Sequence, residues 1–332
     1  MPDLDPIGSM DRVLSDIVAG VQARPPYPSS PQQKWRNKLQ VAIKGSVSSR
    51  RIILTGSWSH GTPIAGFSDV DHFVVLRGER PLSSHTALEQ LMDTFENNLS
   101  RNSDISLSVP TVSILDPFDG NILEYAPAYP EEGGGYWIPG IGEEIWLLSD
   151  PVAHITFINR ADRASSRARM LIRLVKAWKY ANGAQIMSLY LEMLTARLLL
   201  EGGTGRYLDD LVGVLTIMLR GRLAEIPDPS ASRPRFIAAL AGETSSAARE
   251  LALLADSIDR LHRVEAAAKG GANDQAELYL REIFQFGKAR HVDRNSRVFA
   301  TRRDPTRNYL AGVRSESPRA SRYSSDSPRG KL

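Results

Sequence analysis

Asp69 and Asp71 close the stretch GSWSHGTPIAGFSDVDHFVVL, and behind them runs an apolar segment of Phe73, Val74, Val75 and Leu76. The segment reads as a β-strand. Side chains two apart on a strand share a face, so both carboxylates are directed at one place. Hard divalent cations such as magnesium take oxygen ligands, typically one or two carboxylates together with substrate phosphates. Upstream stands Gly56-Ser57, a small residue and a hydroxyl suited to a turn whose backbone N–H groups approach an anion. The plainer reading is the solvent end of a half-buried strand. The glycine-serine turn at this distance, and the apolar run behind the aspartates, favour the binding site.

The arrangement resembles the nucleotidyltransferase superfamily built on the DNA polymerase β palm. That resemblance implies a third carboxylate on a later strand. In TVSILDPFDGNILEYAPAYP two apolar runs flank Asp119-Gly120, a hairpin signal. The second run carries Glu124, which falls beside Asp69 and Asp71 if the two strands are neighbours. A carboxylate inside Ile-Leu-Glu-Tyr-Ala is hard to place in a core, although an exposed strand face would accept it. Asp116 and Asp119 are rivals, and both look like turn residues.

Further motifs narrow the resemblance to the cGAS/DncV-like nucleotidyltransferases, the CD-NTase or SMODS family. LEYAPAY is similar to the family's carboxylate and Pro-Ala segment. Trp146 to Pro151 resembles its connector between two lobes, and LIRLVKAWKY and IMSLYLEML resemble its Lys-x-Trp and Ser-x-x-Leu-Glu helices. The match runs in order from about Leu54 to about Leu200. It departs from the family where Glu124 replaces the usual aspartate, and where Leu189 follows Ser188 in place of an aromatic residue.

From Ser165 to Asn182, Leu171, Leu174, Val175 and Trp178 recur at helical period, with Lys176, Arg169 and Arg173 on the other side. A solvated basic face accounts for Arg169 and Arg173. For Lys176 the resemblance implies a point-charge contact to a donor triphosphate. Ser188 opens a Leu- and Met-rich helix, where a hydroxyl can cap the helix or bind phosphate.

Composition bounds the rest. The 332 residues allow about two domains, and the absence of cysteine excludes both a disulfide framework and any cysteine-containing zinc site. The N-terminus lacks a signal-peptide core and no apolar run approaches a membrane span, so the expectation is a cytoplasmic protein with no membrane partner. The net charge of +3 is uneven: Lys288–Leu332 carries +8 and the remainder −5. The Arg-, Ser- and Pro-rich end is expected to be disordered. Nucleic-acid binding by that basic tail is conceivable on charge, but a solubilising tail is favoured.

The reading is therefore an α+β fold, a polymerase β-like palm with a mixed sheet and helices, plus a C-terminal helical domain. Expected divisions are residues 1–160 for the nucleotidyltransferase core with its N-terminal helices, 161–300 for the helical domain and 301–332 for the tail. Within these, helices are expected at Met10–Gln22, Gln32–Ile43, Ser84–Asn97, Ser165–Asn182, Ser188–Leu200, Leu208–Leu219, Arg235–Leu240, Thr244–Ala267 and Asn273–Phe286. The connector EEGGGYWIPGIG reads as a loop over the cleft or a plain surface excursion. Asp69, Asp71 and Glu124 are the expected catalytic and metal-binding set, for magnesium or manganese. Gly56, Ser57, Lys176 and Ser188 are the expected triphosphate set. The resemblance implies joining of ribonucleoside triphosphates (ATP, GTP, UTP or CTP) into a cyclic di- or oligonucleotide messenger, with pyrophosphate released. It also implies a role in antiphage (CBASS) signalling and a regulatory or C-terminus-modifying partner protein. Three alternatives stay open: transfer to a small acceptor such as an antibiotic, tailing of RNA, or a catalytically inert palm that binds nucleotide or RNA.

Overall fold

The structure is a computed structural model that describes residues 6–99, 103–140, 145–230, 235–240, 246–286 and 313–315. Two helices lead the chain, α1 (Pro6–Val21) and α2 (Pro31–Ser46). Ser30 caps α2 by accepting from Gln33 N, and Pro31 occupies the first turn, where its missing N–H costs nothing. Strand β1 (Ser49–Leu54) then runs into a one-turn helix α3 (Gly56–His60), strand β2 (Val70–Leu76) and helix α4 (Ser84–Asn98). Strands β3 (Ile105–Ser108), β4 (Thr111–Leu115), β5 (Ile122–Pro130), β6 (Tyr136–Pro139) and β7 (Trp146–Ser149) complete the sheet.

Its order is β1-β2-β5-β4-β3, with β6 and β7 continuing from the far end of β5. Neighbours run antiparallel except β2 and β5, which are parallel, so the sheet is mixed. The pleat of β2 sorts its residues by parity. Val70, Val74 and Leu76 pack with Leu39 and Ile43 of α2 and with Leu88, Leu91 and Phe95 of α4. Phe73 and Val75 face the other way, against Ala126, Ala128 and Ile138. The Gly-rich connector forms strand β6 and its turns; Ile141–Glu144 lie outside the described residues.

Beyond the sheet the chain is helical: α5 (Pro151–Ser165), α6 (Ala168–Asn182), α7 (Ser188–Leu200), α8 (Tyr207–Arg220), α9 (Ala247–Lys269) and α10 (Asn273–Ile283). Asp150 caps α5 through Val152 N and Ala153 N. A left-handed Ser166 separates α5 from α6. One large apolar core, centred on Trp178, Leu171, Val175, Leu191 and Leu211, joins these helices. Helix α1 belongs to that core through Met10, Leu14 and Val18, and its Asp11 carboxylate caps α8 at Tyr207 N and Leu208 N. The apolar faces of α1 and α5 thus join the helical core, and the expected division at residue 160 falls within α5.

Arg235–Leu240, expected as a helix, instead supplies strand β9 (Arg235–Ile237), paired with β8 (Ile226–Pro227) and with β10 (Val313–Ser315). A short apolar run does not distinguish strand from helix by its period. Apart from Val313–Ser315, the expected basic tail lies outside the described residues.

Candidate active site

Asp71 and Glu124 are direct partners in the parallel register of β2 and β5. Both are odd-numbered or even-numbered in step with Phe73 and Ala126, so their side chains leave the sheet on the face away from α2 and α4. Asp69 stands one residue before β2, two positions from Asp71. The three carboxylates interact. Burial pushes the Asp71 carboxyl well above the usual carboxylate range, and the charges of Glu124 and then Asp69 push it further, with Lys176 opposing. Ser113 Oγ, across the sheet on β4, donates to Glu124 Oε1 at 3.4 Å.

The rival aspartates are committed elsewhere. Asp116 is fully buried, and its Oδ2 takes Arg36 Nε at 2.7 Å and Gln32 Nε2 at 3.0 Å. Its other oxygen accepts from Phe118 N, while Asp119 accepts from Asn121 N. Both therefore build the β4–β5 hairpin, as turn chemistry requires.

Gly56 opens α3 with φ of +60°, and Thr55 N donates to Asp71 O at 2.8 Å. The turn and the strand are in contact: a Cβ on Gly56 would stand 2.0 Å from Asp71 Oδ2 and 2.8 Å from Asp71 Cγ. Glycine is required there twice, by conformation and by the carboxylate occupying the space. Ser57 follows, half-buried in the same turn.

Ser188, half-buried at the first residue of α7, sits 3.2 Å from Lys179 Nζ and 3.4 Å from the Tyr180 hydroxyl. Tyr180 stacks on Phe67 with centroids 4.4 Å apart, and Phe67 lies two residues before Asp69. That stack ties Ser188 to the loop carrying the aspartates.

Lys176, expected in the triphosphate set, is buried against the turn that ends α3 and against α7. Its side chain is 1% exposed, and Nζ donates to Glu192 Oε1 at 2.7 Å and to Thr62 O at 3.0 Å. Glu192 also takes Thr62 Oγ1 at 2.8 Å and His60 Nδ1 at 2.5 Å. Burial would raise the Glu192 carboxyl, but the charges and hydrogen bonds of Lys176 and His60 outweigh it and hold the group well below the carboxylate range. Burial pulls the His60 imidazole down against the opposing pull of Glu192. Arg169 and Arg173, expected on a solvated face, donate to the carbonyls of His60 and Gly61. His60, Thr62, Lys179 and Glu192 have no role in the sequence reading. Glu192 offered a signal, because a carboxylate inside LYLEMLTARLLL needs a buried partner.

Among the described residues no group of three acidic or imidazole side chains stands preassembled to hold a metal. The donor chemistry nevertheless fits a hard divalent cation: three carboxylates drawn into mutual repulsion, one of them seated against a bare glycine Cα. Asp69, Asp71 and Glu124 are the residues that would hold it.

A mixed sheet with paired acidic strands, a glycine-serine turn and a helical lobe define the polymerase β-like nucleotidyltransferase fold, here with the two-lobed form of the cGAS/DncV-like CD-NTases. No family model and no curated protein matches the sequence. Solved structures match its fold. CdnC of E. coli MS115-1 with ATP superposes with a TM-score of 0.66 at 16% identity, covering 82% of this chain and 97% of CdnC. The CD-NTase CdnG of Bradyrhizobium diazoefficiens with GTP gives 0.62 at 13%, covering 86% and 100%. Vibrio cholerae DncV, a cyclic AMP-GMP synthase bound to a linear pppA-pG intermediate, gives 0.56 at 14%, covering 86% and 88%.

Proposed function

We propose that this chain is a metal-dependent nucleotidyltransferase that joins ribonucleoside triphosphates into a cyclic di- or oligonucleotide and releases pyrophosphate. The observation that carries the reading is the register of Asp71 on Glu124 against Gly56, in a fold shared with nucleotide-bound CD-NTases over most of its length. Magnesium or manganese held by Asp69, Asp71 and Glu124 would supply Lewis-acid activation of an acceptor hydroxyl and stabilisation of the leaving pyrophosphate.

The chain's own residues supply position and charge, on which phosphoryl transfer mainly depends. Gly56 admits the Asp71 carboxylate to the turn, and Ser57 presents a hydroxyl and N–H where a phosphate would approach. Ser188, with the Lys179 ammonium beside it, supports a second phosphate contact from the helical lobe. Both lysines are buried, but Lys179 is bonded to Ser188 whereas Lys176 is paired with Glu192, so Lys179 is the cation nearer a phosphate held at Ser188. Leu189 is fully buried, so a base would stack elsewhere than on the residue after Ser188.

Antiphage signalling is the proposed setting, and a regulatory protein the proposed partner. The E. coli MS115-1 CdnC structure in complex with HORMA-deltaN, at a TM-score of 0.65, supports the partner. Among the described residues no helix is long and apolar enough to cross a membrane.

The test is direct. The full chain is incubated with four labelled ribonucleoside triphosphates and magnesium or manganese, treated with phosphatase, and its products separated. A phosphatase-resistant product supports a ring, and omitting nucleotides singly names its bases. Transfer that depends on an added small molecule or RNA would replace this reading with an acceptor-specific transferase. Absence of metal-dependent pyrophosphate release, with and without partner protein, would leave an inert palm.

A further inference from the structure

Three cations along one stripe of α6 meet three consecutive backbone carbonyls at the end of α3. Arg169 Nε donates to His60 O at 3.0 Å, Arg173 Nη2 to Gly61 O at 2.6 Å and Lys176 Nζ to Thr62 O at 3.0 Å. The spacing of four and then three residues keeps the side chains on one helix face. A helix end leaves its last carbonyls without intrahelical partners, and cations there also meet the negative end of its dipole. Helix α3 is a single turn, and those carbonyls lie four to six residues from Gly56.

The cations are themselves anchored in the helical lobe. Arg169 bonds Asp162 and Asn159 of α5, and Lys176 pairs with Glu192 of α7. Glu192 returns to the same turn through His60 and Thr62. Gly61 is left-handed at φ of +73°, and a Cβ there would meet Arg169 Nε at 3.0 Å. Loop and helix are therefore fitted to each other.

We propose that Arg169, Arg173 and Lys176 are positioning residues: they lock the far end of α3 to the helical lobe and so fix the Gly56–Ser57 turn against Asp71. The inference rests on the proposed nucleotidyl-transfer reading for its consequence, but its structural half is independent of that reading. Arg173 is the cleanest probe, because among the described residues its side chain bonds only Gly61 O and it is only half-buried.

The experiment compares the wild-type full chain with Arg173→Ala and Arg173→Lys. Hydrogen exchange is read at the Gly61 and Thr62 amides, which bond Trp58 O and Ser57 O. Steady-state transfer from ribonucleoside triphosphates with magnesium is read alongside, and circular dichroism with thermal unfolding reports the fold.

For Arg173→Ala the expected result is exchange at residues 56–62 at least tenfold faster, with exchange in α9 unchanged. kcat is expected to fall about ten- to a hundredfold, with a smaller change in KM, the size of loss that a roughly 1 Å misplacement causes. Arg173→Lys should recover part of both, since a single donor suffices at a carbonyl. Unchanged exchange at residues 56–62 overturns the lock, whatever the activity. Faster exchange with unaltered turnover overturns its role in positioning. Should the wild-type chain transfer no nucleotide under any condition, the functional reading fails, and the exchange comparison alone decides whether the lock exists.

Discussion

Substituting Gly56 by alanine isolates the contact that joins the turn to the carboxylates. The new Cβ would sit 2.0 Å from Asp71 Oδ2 and 2.8 Å from Asp71 Cγ, well inside van der Waals contact. Asp71 cannot simply swing away, because Glu124 and Asp69 crowd it with like charge and its backbone is fixed in the β2–β5 register. Two costs add. A left-handed φ of +60° costs an alanine about 1–2 kcal/mol relative to glycine. Forcing a methyl into an occupied space costs about 1–3 kcal/mol. Together they reach about 2–5 kcal/mol, a large part of the roughly 5–15 kcal/mol that holds a domain folded.

A double-mutant cycle separates the two costs. In an Asp71→Ala background the carboxylate is gone, so Gly56→Ala should cost only the conformational part, about 1–2 kcal/mol. In an Asp71→Asn background the shape remains while the charge is removed, so the full cost should return. Urea unfolding followed by tryptophan fluorescence measures the wild type and all five variants, with midpoints compared at constant slope. Equal costs of Gly56→Ala in the three backgrounds would refute the reasoning, since the clash would then not involve Asp71. A full cost in wild type that vanishes in the asparagine background would refute it differently, by making the penalty electrostatic rather than steric.

Other outcomes follow from the same geometry. Asp69→Asn combined with Asp71→Asn should abolish metal-dependent pyrophosphate release while leaving circular dichroism and the unfolding midpoint at or above wild type; retained turnover would remove these residues from catalysis. Lys176→Met leaves Glu192 without its ammonium partner and should cost about 3–5 kcal/mol in denaturant unfolding, whereas a cost under about 1 kcal/mol would mean an exposed, dispensable pair. Burial works against ionised Asp228, but His154, Ser230 N and Arg235 hold its carboxyl down to about 2, so its contribution is present above the ordinary value of 3.8 and lost as pH falls towards 2. Asp228→Asn should therefore flatten the acid limb of a stability-against-pH curve by about 2 kcal/mol, and an unchanged limb would count against the pairing.

What the sequence disclosed and what it withheld have a common physical cause. The palm was legible because its signals are local: an apolar run after Asp71, a hairpin turn at Asp119-Gly120, and a carboxylate in β5 with no business in a core. The clue that exposed Glu124 was equally present at Glu192, whose partners His60 on α3 and Lys176 on α6 lie 132 and 16 positions away. Helix α6 shows the limit most clearly. Periodicity finds the stripe that packs against apolar neighbours and assigns the rest to solvent. Yet α6 has a second contact face. That face lies against backbone carbonyls of residues 60–62, so the complementary side chains are Arg169, Arg173 and Lys176. Main-chain acceptors carry no residue identity, and a cationic face built to meet them reads in sequence as a face built to meet water. Only the three-dimensional placement of α3 tells the two apart.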